Sequence, residues 1–267
     1  MAARTSIPFD PAVVSPWAIG EGPRGVLLLH GFAGTPPELR RLGNHLAGRG
    51  YRCRGPALAG HATTPEALLA TDRRDWTRSA QAELDRLAGE CEQVMVVGQS
   101  MGGTIALHLA ATDLRIAAVA TLAAPVWLSA AATRLISIAK YVVRWHTAGS
   151  DVDLYDPVAI EELYSHGRRP MRSIREFTRL LGEVRDELAM IRAPVLVLHG
   201  GRDRTIDPEN ALEIERRLVC SSHVARIVFP RSGHGMSVDI DSEPINAAVT
   251  DWLDSHTSAP LTPSAGR

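Results

Sequence analysis

Cysteine is scarce in this 267-residue chain, and the three present, Cys53, Cys91 and Cys220, are widely spaced with no CxxC pairing. An odd, dispersed set supports neither a disulfide framework nor a zinc site, so these read as reduced core or strand thiols. An excess of one charge is also missing: 29 Lys plus Arg against 30 Asp plus Glu leave a formal net charge of −1. That balance offers no electrostatic footprint for nucleic acid or an anionic membrane, and a small-molecule partner is expected instead. There is no HExxH and no paired His and carboxylate spacing, so no metal and no other cofactor is expected. Long apolar runs are lacking as well. The longest, Trp127 to Val143, is broken by Arg134 and Lys140 and is too short to cross a bilayer. Met1 to Pro11 holds Pro8 and Pro11 and no apolar h-region, which argues against a secretory signal and makes a cytoplasmic location the default.

What is present is a hydrophobic fraction of 45%, enough to fill one large core, and a regular alternation of elements. Strand-length apolar runs occur at Val26–Leu29, Tyr51–Arg54, Val94–Val97, Ile116–Leu122, Pro194–His199 and Ala225–Phe229. Helix-length mixtures separate them, the pattern of a parallel sheet covered on both faces. Thr35 caps a helix opened by Pro36 and Pro37 and running to Gly48; others are expected from about Asp75 to Ala88, from Pro208 to Leu218 and from about Glu243 to Leu253. Between Pro125 and about Met190 the pattern reads as helix only, an insertion resembling a cap. Its first helix carries Leu128, Leu135, Ile136, Ile138, Ala139, Val142 and Val143, a wider apolar surface than one core contact needs. Residues 1–125 and 191–255 are therefore expected to form the core, 126–190 a helical cap, and 256–267 a Ser, Thr, Pro and Ala-rich disordered tail.

The residues Gly98, Gln99, Ser100, Met101 and Gly102 read GxSxG, between the Val94–Val97 strand and a helix beginning near Gly103. Ser100 thus sits at a strand-to-helix corner, held in a strained turn with its hydroxyl exposed, while the flanking glycines remove Cβ atoms that would collide. A serine hydroxyl is a weak nucleophile at neutral pH and needs a base within hydrogen-bond reach and a carboxylate to fix that base. His234, in the glycine-flanked loop Arg231 to Gly235 after the last strand, is the best-placed base. Asp203, in the first loop residues after the strand ending at His199, is the expected acid. Its competitor Asp207 stands directly before Pro208 at a helix start, where an N-cap is the simpler role. A tetrahedral intermediate needs two backbone N–H donors. They are expected from Met101 and from Phe32 in the turn after Leu29, with the Phe32 ring lining an acyl pocket. His30 is expected to shape that turn by hydrogen bonding.

Four motifs now stand together: GVLLLHGF at Gly25–Phe32, GQSMGG at Gly98–Gly103, GGRD at Gly200–Asp203 and SGHG at Ser232–Gly235. On these the chain, from about Arg24 to Ser255, resembles the α/β-hydrolase superfamily, and within it the small-capped bacterial carboxylesterases and monoacylglycerol lipases. The resemblance implies a mostly parallel sheet of about seven strands with helices on both faces and a small helical cap. It also implies an acyl-serine intermediate, the triad Ser100, Asp203 and His234, and oxyanion donors at Phe32 and Met101, the positions reached from the residues themselves. Two departures stand out. Relatives often carry His before the serine and a GHG loop after the second strand, where this chain has Gln99 and Gly60, His61, Ala62.

An esterase for uncharged carboxylic esters is the expected activity, with short-to-medium acyl chains or monoacylglycerols held between Phe32 and the cap residues Trp127, Ile136 and Ala139. A second reading keeps the triad but cleaves a C–C bond in a vinylogous diketone, for which Arg134, Arg144, Arg168 and Arg169 would be the carboxylate ligands. A third is a non-catalytic receptor on the same fold, against which the intact Ser, Asp, His set weighs.

Overall fold

The computed structural model describes residues 13–129, 133–134, 136, 143–147, 153–156, 159 and 167–257. A seven-stranded sheet is built from β1 (Trp17–Ile19), β2 (Arg24–Leu29), β3 (Tyr51–Gly55), β4 (Gln93–Gln99), β5 (Ile116–Leu122), β8 (Val195–Gly200) and β9 (Val224–Phe229), ordered β1, β3, β2, β4, β5, β8, β9. β1 runs antiparallel to β3 and every other pairing is parallel. The parallel arrangement follows from the helices inserted between strands: α1 (Arg40–Ala47), α2 (Pro65–Leu69), α3 (Arg73–Ala88), α4 (Met101–Thr112), α5 (Met171–Glu187), α6 (Glu209–Arg217) and α7 (Ser242–Ser255). The expected fold class is thereby observed.

The apolar runs of β2, β4 and β8 serve two cores because successive side chains point to opposite faces. Leu27, Leu29, Val94 and Val96 pack on one face with Trp76 and Leu84 of α3, Ile105 of α4 and Leu180 and Val184 of α5. Val26, Leu28, Met95 and Val97 pack on the other with Leu42 and Leu46 of α1 and Ile245, Val249 and Leu253 of α7. Each such fully buried side chain contributes about 1.5–3 kcal/mol over its exposed state, so the central strands are fixed in register by both layers.

Several elements depart from the sequence reading. β1 is added at the edge, where the Trp17 indole fills the space that a Cβ on Gly43 or Gly55 would occupy. α2 is an extra short helix, started by Pro65 and capped by Thr64, whose side chain accepts from Ala67 N at 3.1 Å. α3 begins earlier than Asp75, because Asp72 and Asp75 form a reciprocal capping box. The segment 125–190 is not helix only: β6 (Trp145–Thr147) pairs antiparallel with β7 (Arg168–Pro170), and the Trp145 ring lies under the Arg168 guanidinium at 4.4 Å. α5, from the same segment, packs its Phe177, Leu180, Leu181 and Val184 stripe into the core beside α3 and α4. Ala139, with Leu135, Ile138 and Val142, lies outside the described residues. At the C-terminus, α7 is followed by His256 and Thr257, and the Thr257 hydroxyl accepts from Arg24 Nη1. Among the described residues no helix is long and apolar enough to cross a membrane.

Candidate active site

In a parallel sheet the carboxyl ends of the strands share one edge, and that edge collects the four loops of interest. These loops follow β2, β4, β8 and β9. At the end of β4 the chain turns through Ser100, whose φ of 54° and ψ of −122° lie in a region that side-chain-bearing residues rarely adopt, at a cost of order 1–3 kcal/mol. The turn is held by Ser100 N donating to Leu122 O at 2.8 Å. It also requires its glycines. A Cβ on Gly98 would stand 2.1 Å from Gly102 O, and one on Gly102 would stand 1.9 Å from Leu29 O. Any side chain at either position would push the β4 to α4 corner out of place.

The structure brings Ser100, His234 and Asp203 together. His234 Nε2 lies 3.0 Å from Ser100 Oγ, and His234 Nδ1 lies 2.8 Å from Asp203 Oδ2. An ionised carboxylate only accepts, so Nδ1 carries the proton and Nε2 presents its lone pair to the hydroxyl. The Asp203 side chain is fully buried while His234 retains 18% exposure, leaving the serine and imidazole reachable from solvent. Asp203 Oδ1 accepts from Thr205 N at 2.9 Å and from Ile206 N at 2.8 Å. Burial works to raise its pKa, but hydrogen bonds from His199, His234 and Ile206 N outweigh it and hold the carboxyl well below the usual range. Asp207 is exposed and occupied elsewhere, accepting from Glu209 N at 3.0 Å where α6 begins.

His199 was not singled out by the sequence. Its Nε2 lies 3.1 Å from Asp203 Oδ2 and 3.3 Å from Ile206 O, so it donates to the same carboxylate oxygen that His234 engages. The available signal was a histidine at the penultimate position of β8, four residues before the aspartate.

The turn after β2 prepares a second set of donors. Gly31 N donates to Glu38 Oε2 at 2.9 Å and Thr35 N to Glu38 Oε1 at 3.3 Å, which consumes the amides on either side of Phe32 and Ala33. The Phe32 and Met101 amides donate to no acceptor among the described residues, and Met101 directly follows Ser100 in the chain. Burial raises the Glu38 pKa, opposed by those two amides and by the nearby His234 and Arg169. His30 is fully buried, accepts from Leu58 N at Nε2 (3.1 Å) and donates from Nδ1 to Gly31 O (2.9 Å). That neutral tautomer clips the turn to the loop after β3, and burial lowers the pKa to about 4.

Phe32 stacks on Phe177 with ring centroids 5.4 Å apart and meets the edges of Trp76 and His61 at 5.8 and 6.0 Å. Trp127 is half-buried against the same core cluster, with its amide donating to Asn210 Oδ1, and Ile136 is also half-buried. At the two departures from the family pattern, Gln99 Oε1 accepts from Ser237 N at 2.9 Å, tying the serine turn to the histidine loop. His61 donates to Ala59 O. Of the candidate carboxylate ligands, Arg134, Arg144 and Arg168 are exposed and only Arg169 is half-buried.

Known proteins are similar to this chain in sequence and in fold. The family model for serine aminopeptidase S33 hydrolases matches residues 22–241. A thermostable monoacylglycerol lipase from a Bacillus species is 30% identical over 241 residues, covering 90% of this chain and 94% of the relative. A carboxylesterase of Bacillus subtilis is 27% identical over 241 residues, covering 90% and 96%. Among solved structures, a metagenome-derived lipolytic enzyme superposes with a TM-score of 0.85 at 22% identity, covering 94% of this chain and 100% of its own. A soluble variant of the monoglyceride lipase of Saccharomyces cerevisiae gives 0.80 at 19%, covering 92% of each. With the family model spanning all four loops and six of the seven strands of the sheet, the chain belongs to the serine aminopeptidase S33 family of α/β-hydrolases.

Proposed function

We propose that the protein is a serine esterase that cleaves short-to-medium acyl esters or monoacylglycerols through an acyl intermediate on Ser100. The observation that carries this reading is the hydrogen-bonded chain from Ser100 Oγ through His234 to Asp203, at 3.0 and 2.8 Å. His234 Nε2 takes the Ser100 proton as Oγ attacks the ester carbonyl, and Asp203 holds the resulting imidazolium. The oxyanion is received by the N–H groups of Phe32 and Met101. His234 then protonates the departing alcohol, and a water, deprotonated by the same nitrogen, releases the acid and restores Ser100.

The aromatic wall of Phe32, Phe177 and Trp76 suits an uncharged acyl chain. The names of the curated relatives, a carboxylesterase and a monoacylglycerol lipase, point the same way. The C–C hydrolase reading draws less support, because Arg144 and Arg168 lie over the exposed side of Trp145 and only Arg169 is turned inward. Hydrolysis of 4-nitrophenyl esters from acetate to palmitate, alongside monoacylglycerols and an aminoacyl 4-nitroanilide, tests the proposal. Turnover of short-to-medium esters with little anilide cleavage is expected; anilide cleavage without ester turnover would overturn it.

A further inference from the structure

Asp153 is a buried carboxylate far in sequence from the serine, acid and base loops, yet it touches two of them at once. Its Oδ2 accepts from Arg204 N at 2.6 Å, from Thr205 N at 3.1 Å and from Thr205 Oγ1 at 3.2 Å, gripping the turn that begins at Asp203. Its main-chain oxygen accepts from His234 N at 3.0 Å and Gly235 N at 3.4 Å, gripping the loop that carries the base. The fit is close, since a Cβ on Gly233 would stand 2.6 Å from that same oxygen. A second buried carboxylate closes the structure from the other side. Asp239 Oδ2 accepts from Gly233 N at 2.7 Å, and Oδ1 accepts from Tyr155 N at 2.8 Å and Asp156 N at 2.9 Å. The short stretch 153–156 is thus sewn to the acid loop by one side chain, and to the base loop by one carbonyl and one reciprocal side chain.

We infer that Asp153 is a positioning residue for the Asp203 and His234 pair, and that the stretch 153–156 enters the reaction through it. Asp203 and His234 lie on separate loops after separate strands, and their own hydrogen bond is a single 2.8 Å contact. One bond fixes a distance and not a direction. Asp153 adds to the amides that hold Asp203 and to the Arg202 N to Ser232 O bond between the loops, by fixing the peptide planes next to both residues, so the imidazole plane is aimed at Ser100 before substrate arrives. The carboxylate touches no reacting atom. Its effect passes through the geometry of the other two, and it should therefore act on kcat and spare KM.

This inference rests on the reading of Ser100, Asp203 and His234 as the reacting set, and the experiment separates the two. Steady-state hydrolysis of 4-nitrophenyl butyrate by the full-length protein is compared for Asp153→Ala, Asp153→Asn, Ser100→Ala and Asp72→Ala. Asp72 caps α3, bonding only Arg74, Asp75 and Trp76 of that helix among the described residues, so its variant loses stability without touching the acid or base loop. Asp153→Ala is expected to lower kcat by about 10- to 100-fold with KM within about twofold, the scale of an ångström-level misplacement. Asp153→Asn keeps a side-chain oxygen for the Arg204 and Thr205 amides and is expected to recover kcat to within about threefold of the parent. Asp72→Ala should lower the Tm and leave kcat unchanged. The inference is overturned if folded Asp153→Ala turns over within twofold of the parent, or if the Asn variant falls as far as the Ala variant, or if KM rises while kcat holds. Should Ser100→Ala remain active, the reacting set itself is wrong, a result distinct from any of these.

Discussion

Replacing Asp203 with asparagine changes one atom and should nearly stop the reaction. Oδ1 of Asp203 is pinned by the Thr205 and Ile206 amides at 2.9 and 2.8 Å, so the side-chain oxygen of an asparagine must stay there, because the alternative rotamer would set an NH2 against two N–H donors. The asparagine nitrogen then takes the place of Oδ2, 2.8 Å from His234 Nδ1 and 3.1 Å from His199 Nε2. A donor now faces Nδ1, which must become an acceptor. The proton moves to Nε2, the nitrogen that has to receive the Ser100 hydrogen, and the base is held in the wrong tautomer. Loss of the imidazolium's anionic partner adds to this. A fall in kcat of about 10⁴ is expected, or about 5.5 kcal/mol at 1.36 kcal/mol per tenfold. The assay is 4-nitrophenyl butyrate hydrolysis at pH 7.5, with KM and Tm measured on the same preparation. Asp207→Asn, at an exposed helix start, should change kcat by less than about twofold. Retention of a tenth of the parental kcat by Asp203→Asn, or a larger loss in Asp207→Asn, would refute the tautomer argument and the choice of acid.

Two further outcomes follow from other parts of the structure. Because His30 is buried as the neutral form with its pKa lowered from 6.5 to about 4, the unfolded chain binds its proton first, so the stability from this group is complete above about pH 6.5 and is lost as the pH falls toward 4. Urea unfolding at pH 7.5 and 4.5 should show the parent losing up to about 3 kcal/mol more than His30→Gln, and parallel losses would contradict it. At the half-buried Ile136, substitution by Trp should lower kcat/KM for octanoate esters roughly tenfold relative to acetate, about 1.4 kcal/mol, if this side lines the acyl pocket. Equal losses for both esters would remove it from the pocket.

Most of what positions the site could be read from local pattern, and what could not was set by distant partners. The runs in β2, β4, β5 and β8 announced themselves because both faces of those strands are largely buried, which favours apolar residues through most of their length. The Ser100 corner was legible because the GxSxG pattern lies between an apolar strand and a helix, and Gly98 answers a steric need four residues away at Gly102. β1 had no such signal: it is three residues long and exists through pairing with β3 and through Trp17 filling the space above Gly43 and Gly55. β6 and β7 pair across a long connection, and neither carries an alternating pattern. Asp153 and His199 were invisible for the same reason, since a buried aspartate or histidine gives no hint in sequence of which amide or carboxylate it will meet.

The central claim is that Ser100 is the nucleophile, and its most direct test is kcat for Ser100→Ala with 4-nitrophenyl butyrate, read beside labelling by a fluorophosphonate probe. The substitution removes one small oxygen at a site already open to solvent, so folding should be retained and Tm should move little. The account predicts that kcat falls below about a thousandth of the parental value and that the probe mass, found on the peptide containing Ser100 in the parent, is lost in the variant. A variant that keeps more than that fraction of turnover, or a parent labelled at another residue, would contradict it.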